Sequence, residues 1–278
     1  MPFMKKTLFV CTLAMMLCSC NSIIGKVSAL TGKSDLKTDS IVVAKDQQHA
    51  MVRYYVDFPT EGNSLLVNAI REYVNEQLGG TYDGDESNGQ LMIDTYAQNE
   101  WSSLVSQYNE LLAETENEFM NDISFYTEYE IRKIYETDKF VTFQTFTMTY
   151  LGGAHGMHNQ IGVTFRKSDG RRFGYSMMRQ LYSEGFYNIT KEGLRSYFSQ
   201  AGMGKPESDE ELKEWLMTSD DVNYLSHPRC EPYMVEDGVL FIYQPYEIAA
   251  YAAGMPEFTV SYQDIKPYLT VGAQKMIP

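Results

Sequence analysis

The chain has 278 residues, of which 44% are hydrophobic and 13% aromatic, and its formal net charge at pH 7 is −14. This apolar content is enough for the core of one large or two small domains, and it excludes an intrinsically disordered protein. The negative charge argues against a nucleic-acid partner, because phosphate binding requires a basic surface. A basic protein would be the better electrostatic match.

The N-terminus has the pattern of an export signal. Lys5 and Lys6 precede an apolar run over residues 8–17, which is too short to span a bilayer. The run leads into Leu-Cys-Ser-Cys, which resembles the lipobox of bacterial lipoproteins, with Cys20 as the acylated residue. We therefore predict that residues 1–19 are a cleaved signal peptide and that lipid on Cys20 anchors the protein to a membrane. An ordinary secretory signal is the alternative.

Residues 20–48 show no sustained periodicity and are predicted to form a flexible tether. No acidic run directly follows Cys20, which favours a periplasm-facing location, such as the outer membrane. With the other cysteines in the signal and the lipobox, Cys230 is left alone, so no intrachain disulfide is predicted. A lone cysteine usually packs as a small apolar side chain.

Residues 49–122 are predicted to form a β-α-α segment. An alternating apolar pattern over residues 52–58 predicts a strand. Apolar residues then recur every three or four positions over residues 66–78, which predicts a helix ending at the following glycines. A second amphipathic helix is predicted over residues 93–119.

Residues 123–278 are predicted to form a C-terminal α+β domain in which an antiparallel meander packs against several helices. The predicted strands cover residues 125–131, 141–150, 161–165, 239–243 and 258–262. Helical patterns cover residues 176–181, 194–198 and 208–216. The strand over residues 239–243 is continuously apolar, which predicts burial on both faces. The predicted fold class is therefore α+β.

Two stretches carry a resemblance to a known family. Residues 150–156 read Tyr-Leu-Gly-Gly-Ala-His-Gly, and residues 243–254 read Tyr-Gln-Pro-Tyr-Glu-Ile-Ala-Ala-Tyr-Ala-Ala-Gly. In order and spacing the chain resembles, over about residues 49–270, the extracytoplasmic domain of lysozyme-binding anti-sigma factors of the RsiV type (DUF3298). Its N-terminal segment is similar to PdaC (DUF4163), and the RsiV-type region is also attached to some peptidoglycan deacetylases.

The resemblance implies recognition in the cell envelope, and lysozyme is the ligand of the anti-sigma members. A groove edged with tyrosine would also suit a peptidoglycan-type glycan. No cofactor is predicted. The predicted lipobox stands where the anti-sigma members have a membrane helix. We therefore do not expect signalling across the membrane by their route. The oligomeric state stays open.

Six residues are candidates for ligand binding because histidine and tyrosine rings combine a large contact area with a polar tip. They are His155, His158, Tyr243, Tyr246, Glu247 and Tyr251. For this site to exist, the two segments must be adjacent in the fold. The alternative is that the tyrosines pack internally, since a chain with 21 tyrosines will contain local clusters by chance.

The glycines of both stretches are predicted to form structural turns. Gly152, Gly153 and Gly156 are expected to adopt positive φ, and Gly254 to end the second turn. Two histidines three residues apart would suit a metal on a helix, but the glycines favour a turn, so no metal site is predicted. His155 would then bond a loop carbonyl or contact a ligand.

The acidic stretch from Asp83 to Asp94 partly matches a calcium loop. Asn88 stands where glycine is preferred, and Asp94 where a longer glutamate normally chelates, so we favour a solvated loop. Motifs for a nucleophile, a zinc protease or a nucleotide site are absent from the sequence. The sequence therefore favours a non-catalytic binding protein. A wall-glycan hydrolase or deacetylase using His155 and His158, or a passive structural lipoprotein, are the alternatives.

Overall fold

The computed structural model describes residues 36–114, 123–218 and 221–278. The first of its two sheets has the strand order β1-β2-β3-β4-β5. These strands are β1 (Lys37–Gln47), β2 (Ala50–Glu61), β3 (Phe125–Glu136), β4 (Phe140–Tyr150) and β5 (Met157–Arg166). Neighbouring strands are antiparallel except β2 and β3, which run parallel. The helices α1 (Ser64–Gln77) and α2 (Gly89–Glu114) lie between β2 and β3 in the sequence, as a parallel pairing requires.

Strand β1 corrects the predicted tether, which is wrong for residues 37–47. This segment pairs with β2 along its whole length, from Lys37 opposite Glu61 to Gln47 opposite Ala50. Most side chains of β1 are exposed because it is an edge strand, so its sequence lacks the apolar alternation of a half-buried strand. Residues 20–35 of the predicted tether lie outside the described residues.

One core extends across the position where we divided the chain, between residues 122 and 123. Val56 of β2 pairs with Ile131 of β3, and both are fully buried. Tyr73 of α1 and Thr145 of β4 share a hydrogen bond of 2.7 Å between their hydroxyls. The predicted β-α-α segment therefore shares one sheet and one core with the start of the predicted C-terminal domain.

The second sheet has the antiparallel order β6-β7-β8. It consists of β6 (Tyr233–Val235), β7 (Gly238–Ile242) and β8 (Glu257–Ser261), with α3 (Glu184–Gln200), α4 (Asp209–Trp215), α5 (Tyr262–Ile265) and α6 (Val271–Gln274) around it. All five residues of β7 are buried, which confirms the prediction for this strand. Helix α3 approaches β8 closely at Gly193, where a Cβ atom would lie 2.4 Å from the Phe258 ring.

Threonines of the first sheet hold the second sheet in place. The Thr142 hydroxyl of β4 donates to the Met234 carbonyl of β6 (2.7 Å), and the Met234 amide donates to the Thr164 hydroxyl of β5 (2.8 Å). The Tyr233 ring lies over Gly162, where a Cβ atom would come within 2.4 Å. Strand β6 is thus fixed against β4 and β5, and the loops at the ends of the two sheets are brought together.

The predicted α+β class is confirmed, and the antiparallel meander is correct for β3, β4 and β5. The helix predicted over residues 176–181 is wrong. Only Tyr175–Met177 form a 3₁₀ turn, because Met178 is extended and bridges Leu269. Among the described residues, none of the helices combines the length and apolar character needed to cross a membrane.

Candidate functional site

Two loops meet at one end of the paired sheets, as predicted. The first connects β4 to β5 and contains His155, and the second connects β7 to β8 and contains Tyr246 and Tyr251. The His155 and Tyr251 rings are stacked, with their centroids 4.0 Å apart and their planes 20° from parallel. Tyr246 lies beside Tyr251, at a centroid distance of 5.5 Å. We call His155, His158, Tyr246 and Tyr251 the His155–Tyr251 face.

The Gly156 carbonyl connects the two loops. It accepts hydrogen bonds from the Tyr251 hydroxyl (2.7 Å) and from Nδ1 of His155 (2.9 Å). With its proton on Nδ1, a neutral His155 ring presents Nε2 as an acceptor, and the Tyr246 hydroxyl lies 3.4 Å from it. The polar atoms of the two loops therefore satisfy one another while the ring edges stay at the surface.

His158 lies on β5 behind this pair. Its Nδ1 is 3.3 Å from the Tyr251 hydroxyl, whose single proton points to Gly156, so His158 donates and Tyr251 accepts. Its ring also lies 6.3 Å from that of Phe146. Burial, and secondarily the nearby His155, lower the pKa of His158 and favour its neutral form.

Tyr246 is an exposed member of the face, with 49% of its surface accessible. Its φ is +65°, an unusual value for a residue with a side chain. The next residue stabilises this conformation, because the Glu247 carboxylate accepts from the amides of Gln244 (2.7 Å) and Arg229 (2.6 Å). Glu247 therefore acts as a positioning residue for the turn, and both of its oxygens are occupied.

Tyr243 does not belong to the exposed face, which corrects its prediction as a ligand contact. Its ring is fully buried, and its hydroxyl donates to the Ser226 carbonyl at 2.8 Å. Burial raises the pKa of this hydroxyl well above its usual value. Tyr243 is a core residue that fixes residue 226 beside the turn.

Two glutamines that the sequence did not single out fasten the second loop to β5. The Gln244 side chain accepts from the Gln160 amide (3.1 Å) and donates to the Gln160 carbonyl (2.8 Å). It thus pairs with β5 much as a neighbouring strand would. The sequence did contain a signal that Gln160 lies near the site: His158 and Gln160 are two residues apart on a strand, so their side chains lie on the same side of the sheet.

The glycines agree only in part with the prediction. Gly152 has φ of +80° and Gly254 has φ of +75°, whereas Gly153 and Gly156 do not have positive φ, so the prediction is wrong for these two. A Cβ atom on Gly152 would lie 3.0 Å from the Phe125 ring. At Gly156 the available space disfavours a side chain, since a Cβ atom would lie 3.1 Å from the Thr149 carbonyl oxygen.

The remaining predicted positions that the structure describes are not members of this face. Cys20 is outside the described residues. In the acidic stretch, the Asp85 carboxylate accepts from the Ser87 amide (2.8 Å), and α2 begins at Gly89, which places Asp94 within a helix. No cluster of three or more His, Cys, Asp or Glu side chains within residues 36–114, 123–218 and 221–278 has an arrangement that would hold a metal ion. Cys230 is a half-buried free thiol.

Two open grooves occur in the first sheet and its helices, with volumes of about 380 and 530 Å³. The smaller is lined by Lys45, Asp94, Thr95, Gln98 and Asn99. The larger lies between β1, Arg71 and the start of α2. Neither groove is lined by a residue of the His155–Tyr251 face, so the predicted site and these grooves are separate features.

Two family models match consecutive parts of the chain. Residues 51–158 match the model described as Deacetylase PdaC, and residues 187–263 match the model described as Protein of unknown function (DUF3298). The face combines both parts, because His155 and His158 end the first match while Tyr246 and Tyr251 lie within the second. No curated protein matches the chain.

Two crystal structures have a similar fold. A DUF3298 family member from Bacteroides fragilis is 18% identical, with a TM-score of 0.64, and the match covers 84% of this chain and 94% of that one. A DUF3298 family protein from Pseudomonas aeruginosa is 11% identical, with a TM-score of 0.58, and the match covers 88% of this chain and 98% of that one. The sequence matches and the shared fold together establish that this chain contains a PdaC-like segment over residues 51–158 and a DUF3298 domain over residues 187–263.

Proposed function

We propose that this chain is a lipid-anchored binding protein of the cell envelope that recognises a basic protein, such as lysozyme, through the His155–Tyr251 face. One observation carries the proposal: the two matched segments contribute histidine and tyrosine rings to one exposed cluster that internal hydrogen bonds hold in place. Such a cluster loses little conformational entropy on binding. Tyrosine is also enriched among the residues that dominate protein interfaces.

Binding accounts for the arrangement better than hydrolysis. Among the described residues, the contacts of His155 and His158 are tyrosine hydroxyls, aromatic rings and the Gly156 carbonyl, and they include no carboxylate that would orient a catalytic imidazole. The Glu247 carboxylate is engaged by two main-chain amides. The deacetylase in the name of the first family model is therefore not the activity that we propose for this chain.

Charge favours a basic protein over a glycan. At a net charge of −14, the chain would attract a cationic partner over a long range and accelerate its association. Aromatic rings with polar tips also suit a sugar polymer, so soluble peptidoglycan fragments are the competing ligand. Binding to a basic protein should weaken as salt is added, because screening reduces the attraction between exposed charges.

Calorimetric titration of the full chain with lysozyme and, separately, with soluble peptidoglycan fragments tests the proposal. We expect saturable binding of lysozyme that weakens between low and physiological salt. Tyr246→Ala should weaken it by about tenfold or more, as is typical when an aromatic contact is lost from an interface. Lysozyme binding without any effect of Tyr246→Ala would place the interface elsewhere. Binding of the glycan alone would replace the proposed ligand, and binding of neither would reject the proposal.

The anchor is tested separately. In bacteria that express the full chain, a labelled fatty acid should be incorporated into the parent protein, and the protein should fractionate with membranes. Cys20→Ser should abolish both the label and the membrane association, while Cys230→Ser should change neither. Equal labelling of the parent and Cys20→Ser would reject Cys20 as the lipid site.

A further inference from the structure

His227 lies in a cage of four aromatic rings. The distances between its ring centroid and those of its neighbours are 5.2 Å to Tyr182, 5.4 Å to Phe186, 5.9 Å to Tyr175 and 6.2 Å to Tyr187. Both of its ring nitrogens are buried, and within the part of the chain that the structure describes neither makes a hydrogen bond of good geometry; only the Leu181 backbone offers them a weak one. Buried polar atoms without partners are rare and need an explanation.

The surroundings of this ring disfavour a positive charge. Burial lowers the pKa of His227, and the weak hydrogen bond to the Leu181 backbone opposes this effect only in part. The titratable side chains that face the ring are tyrosines from the segment before α3 and from α3 itself. Tyrosine hydroxyls ordinarily stay neutral far above the range in which histidine titrates. Across the described residues, no acidic side chain is among the contacts of His227 that would stabilise an imidazolium.

The segment around His227 is connected to the turn that carries Tyr246. The Ser226 carbonyl accepts from the Tyr243 hydroxyl (2.8 Å), and the Arg229 amide donates to the Glu247 carboxylate (2.6 Å). These bonds lie on both sides of His227 in the sequence. Movement of residues 226–229 would therefore remove two of the bonds that support the turn.

We propose that His227 is an acid-sensitive latch: its neutral ring holds residues 226–229 against α3, and protonation by solvent releases this segment together with the turn that carries Tyr246. The sign follows from the depressed pKa. The closed segment is fully stable above the ordinary histidine pKa of about 6.5, and it loses stability as the pH falls from there toward the lower pKa of the closed state. Only the consequence for ligand binding rests on the proposed function.

Hydrogen exchange of the full chain measures release directly. After correction for the intrinsic pH dependence of exchange, we expect the amides of Ser226, His227 and Arg229 to be protected about tenfold less at pH 5 than at pH 7.5. His227→Phe keeps an aromatic ring that cannot take up a proton, so it should abolish this loss. His155→Gln is the matched control, and it should retain the loss because it leaves the cage intact.

Titration of the His227 ring in the parent protein, followed by nuclear magnetic resonance, is the second measurement and remains informative even if His227→Phe does not fold. It should give a pKa below 6.5. A pKa at or above 6.5, equal acid loss in His227→Phe and the parent, or no loss in the parent would each overturn the latch. Lysozyme is absent from these assays, so their failure is distinguishable from failure of the proposed binding function.

Discussion

At the His155–Tyr251 face, hydrogen bonds between the two loops hold the rings in place. His155 and Tyr251 both donate to the Gly156 carbonyl. In the cage around His227, aromatic rings surround an imidazole whose nitrogens make no hydrogen bond of good geometry within the described residues. The difference shows what hydrogen bonding adds to aromatic contact. Internal hydrogen bonds hold the first cluster, whereas the second depends on its histidine staying neutral.

The largest expected effect concerns the support beneath the His155–Tyr251 face. Gly152→Ala would place a side chain at φ of +80° and 3.0 Å from the Phe125 ring, and we expect it to lower the free energy of unfolding by about 1–3 kcal/mol. Gly153→Ala is the matched control, because Gly153 lacks positive φ and its nearest neighbour would be 3.9 Å away. It should stay within about 0.5 kcal/mol of the parent in urea unfolding. Equal losses would contradict the account of this turn.

Tyr251→Phe removes the hydrogen bonds of the face while keeping the stacked ring. The lost bond to the Gly156 carbonyl and the contact with His158 should together cost about 1–2 kcal/mol of unfolding free energy. Tyr182→Phe in the cage is the matched control, because Tyr182 is 80% exposed. Chemical denaturation of both variants makes the comparison, and an unchanged Tyr251→Phe would mean that stacking alone holds the loops.

His227→Phe should raise the free energy of unfolding, whereas the two preceding substitutions lower it. Replacing an imidazole whose two buried nitrogens make no hydrogen bond of good geometry among the described residues with an apolar ring should raise the free energy of unfolding at pH 7.5 by about 1 kcal/mol. The gain should increase as the pH falls through about 6.5, because the parent loses stability there and the variant does not. Urea unfolding at pH 7.5 and pH 5 measures both effects. A destabilised His227→Phe whose deficit is independent of pH would show that the imidazole is a satisfied part of the cage.

The smallest effect is expected for Tyr246→Phe. Its hydroxyl makes only a long, exposed contact of 3.4 Å with His155, so its removal should change the unfolding free energy by less than about 0.5 kcal/mol. Thermal unfolding at pH 7.5 suffices to measure this. A larger loss would mean that Tyr246 holds the loops together, which would make it unsuitable as a probe of binding.

The elements that the sequence predicts well are those with one consistently buried face. Strands β2, β4 and β7 have regular apolar patterns because each packs on a core, and the periodicity of α1 has the same origin. Strand β1 escaped prediction because it lies at a sheet edge with most of its side chains exposed. The parallel pairing of β2 with β3 depends on contacts between distant residues, which local patterns do not encode.

The sequence likewise predicted only part of the candidate site. The adjacency of the two loops was predicted as a condition for the candidate site, and the stacking of His155 on Tyr251 confirms it. The burial of Tyr243 was not apparent, because the local sequence around a tyrosine in a turn does not indicate whether its side chain faces the core or solvent. The His227 cage had no signal in the sequence, since its rings come from residues 175–187 and meet a single histidine forty residues later.

The dissociation constant for lysozyme, measured by calorimetry for the parent, Tyr246→Ala and Tyr224→Ala, tests the central claim most directly. Both tyrosines are exposed, but Tyr246 belongs to the His155–Tyr251 face whereas Tyr224 contacts Tyr187 beside the cage. We predict that Tyr246→Ala weakens binding by about tenfold or more and that Tyr224→Ala changes it by less than about twofold. Equal weakening by the two substitutions, or weakening by Tyr224→Ala alone, would contradict the assignment of this face as the binding surface.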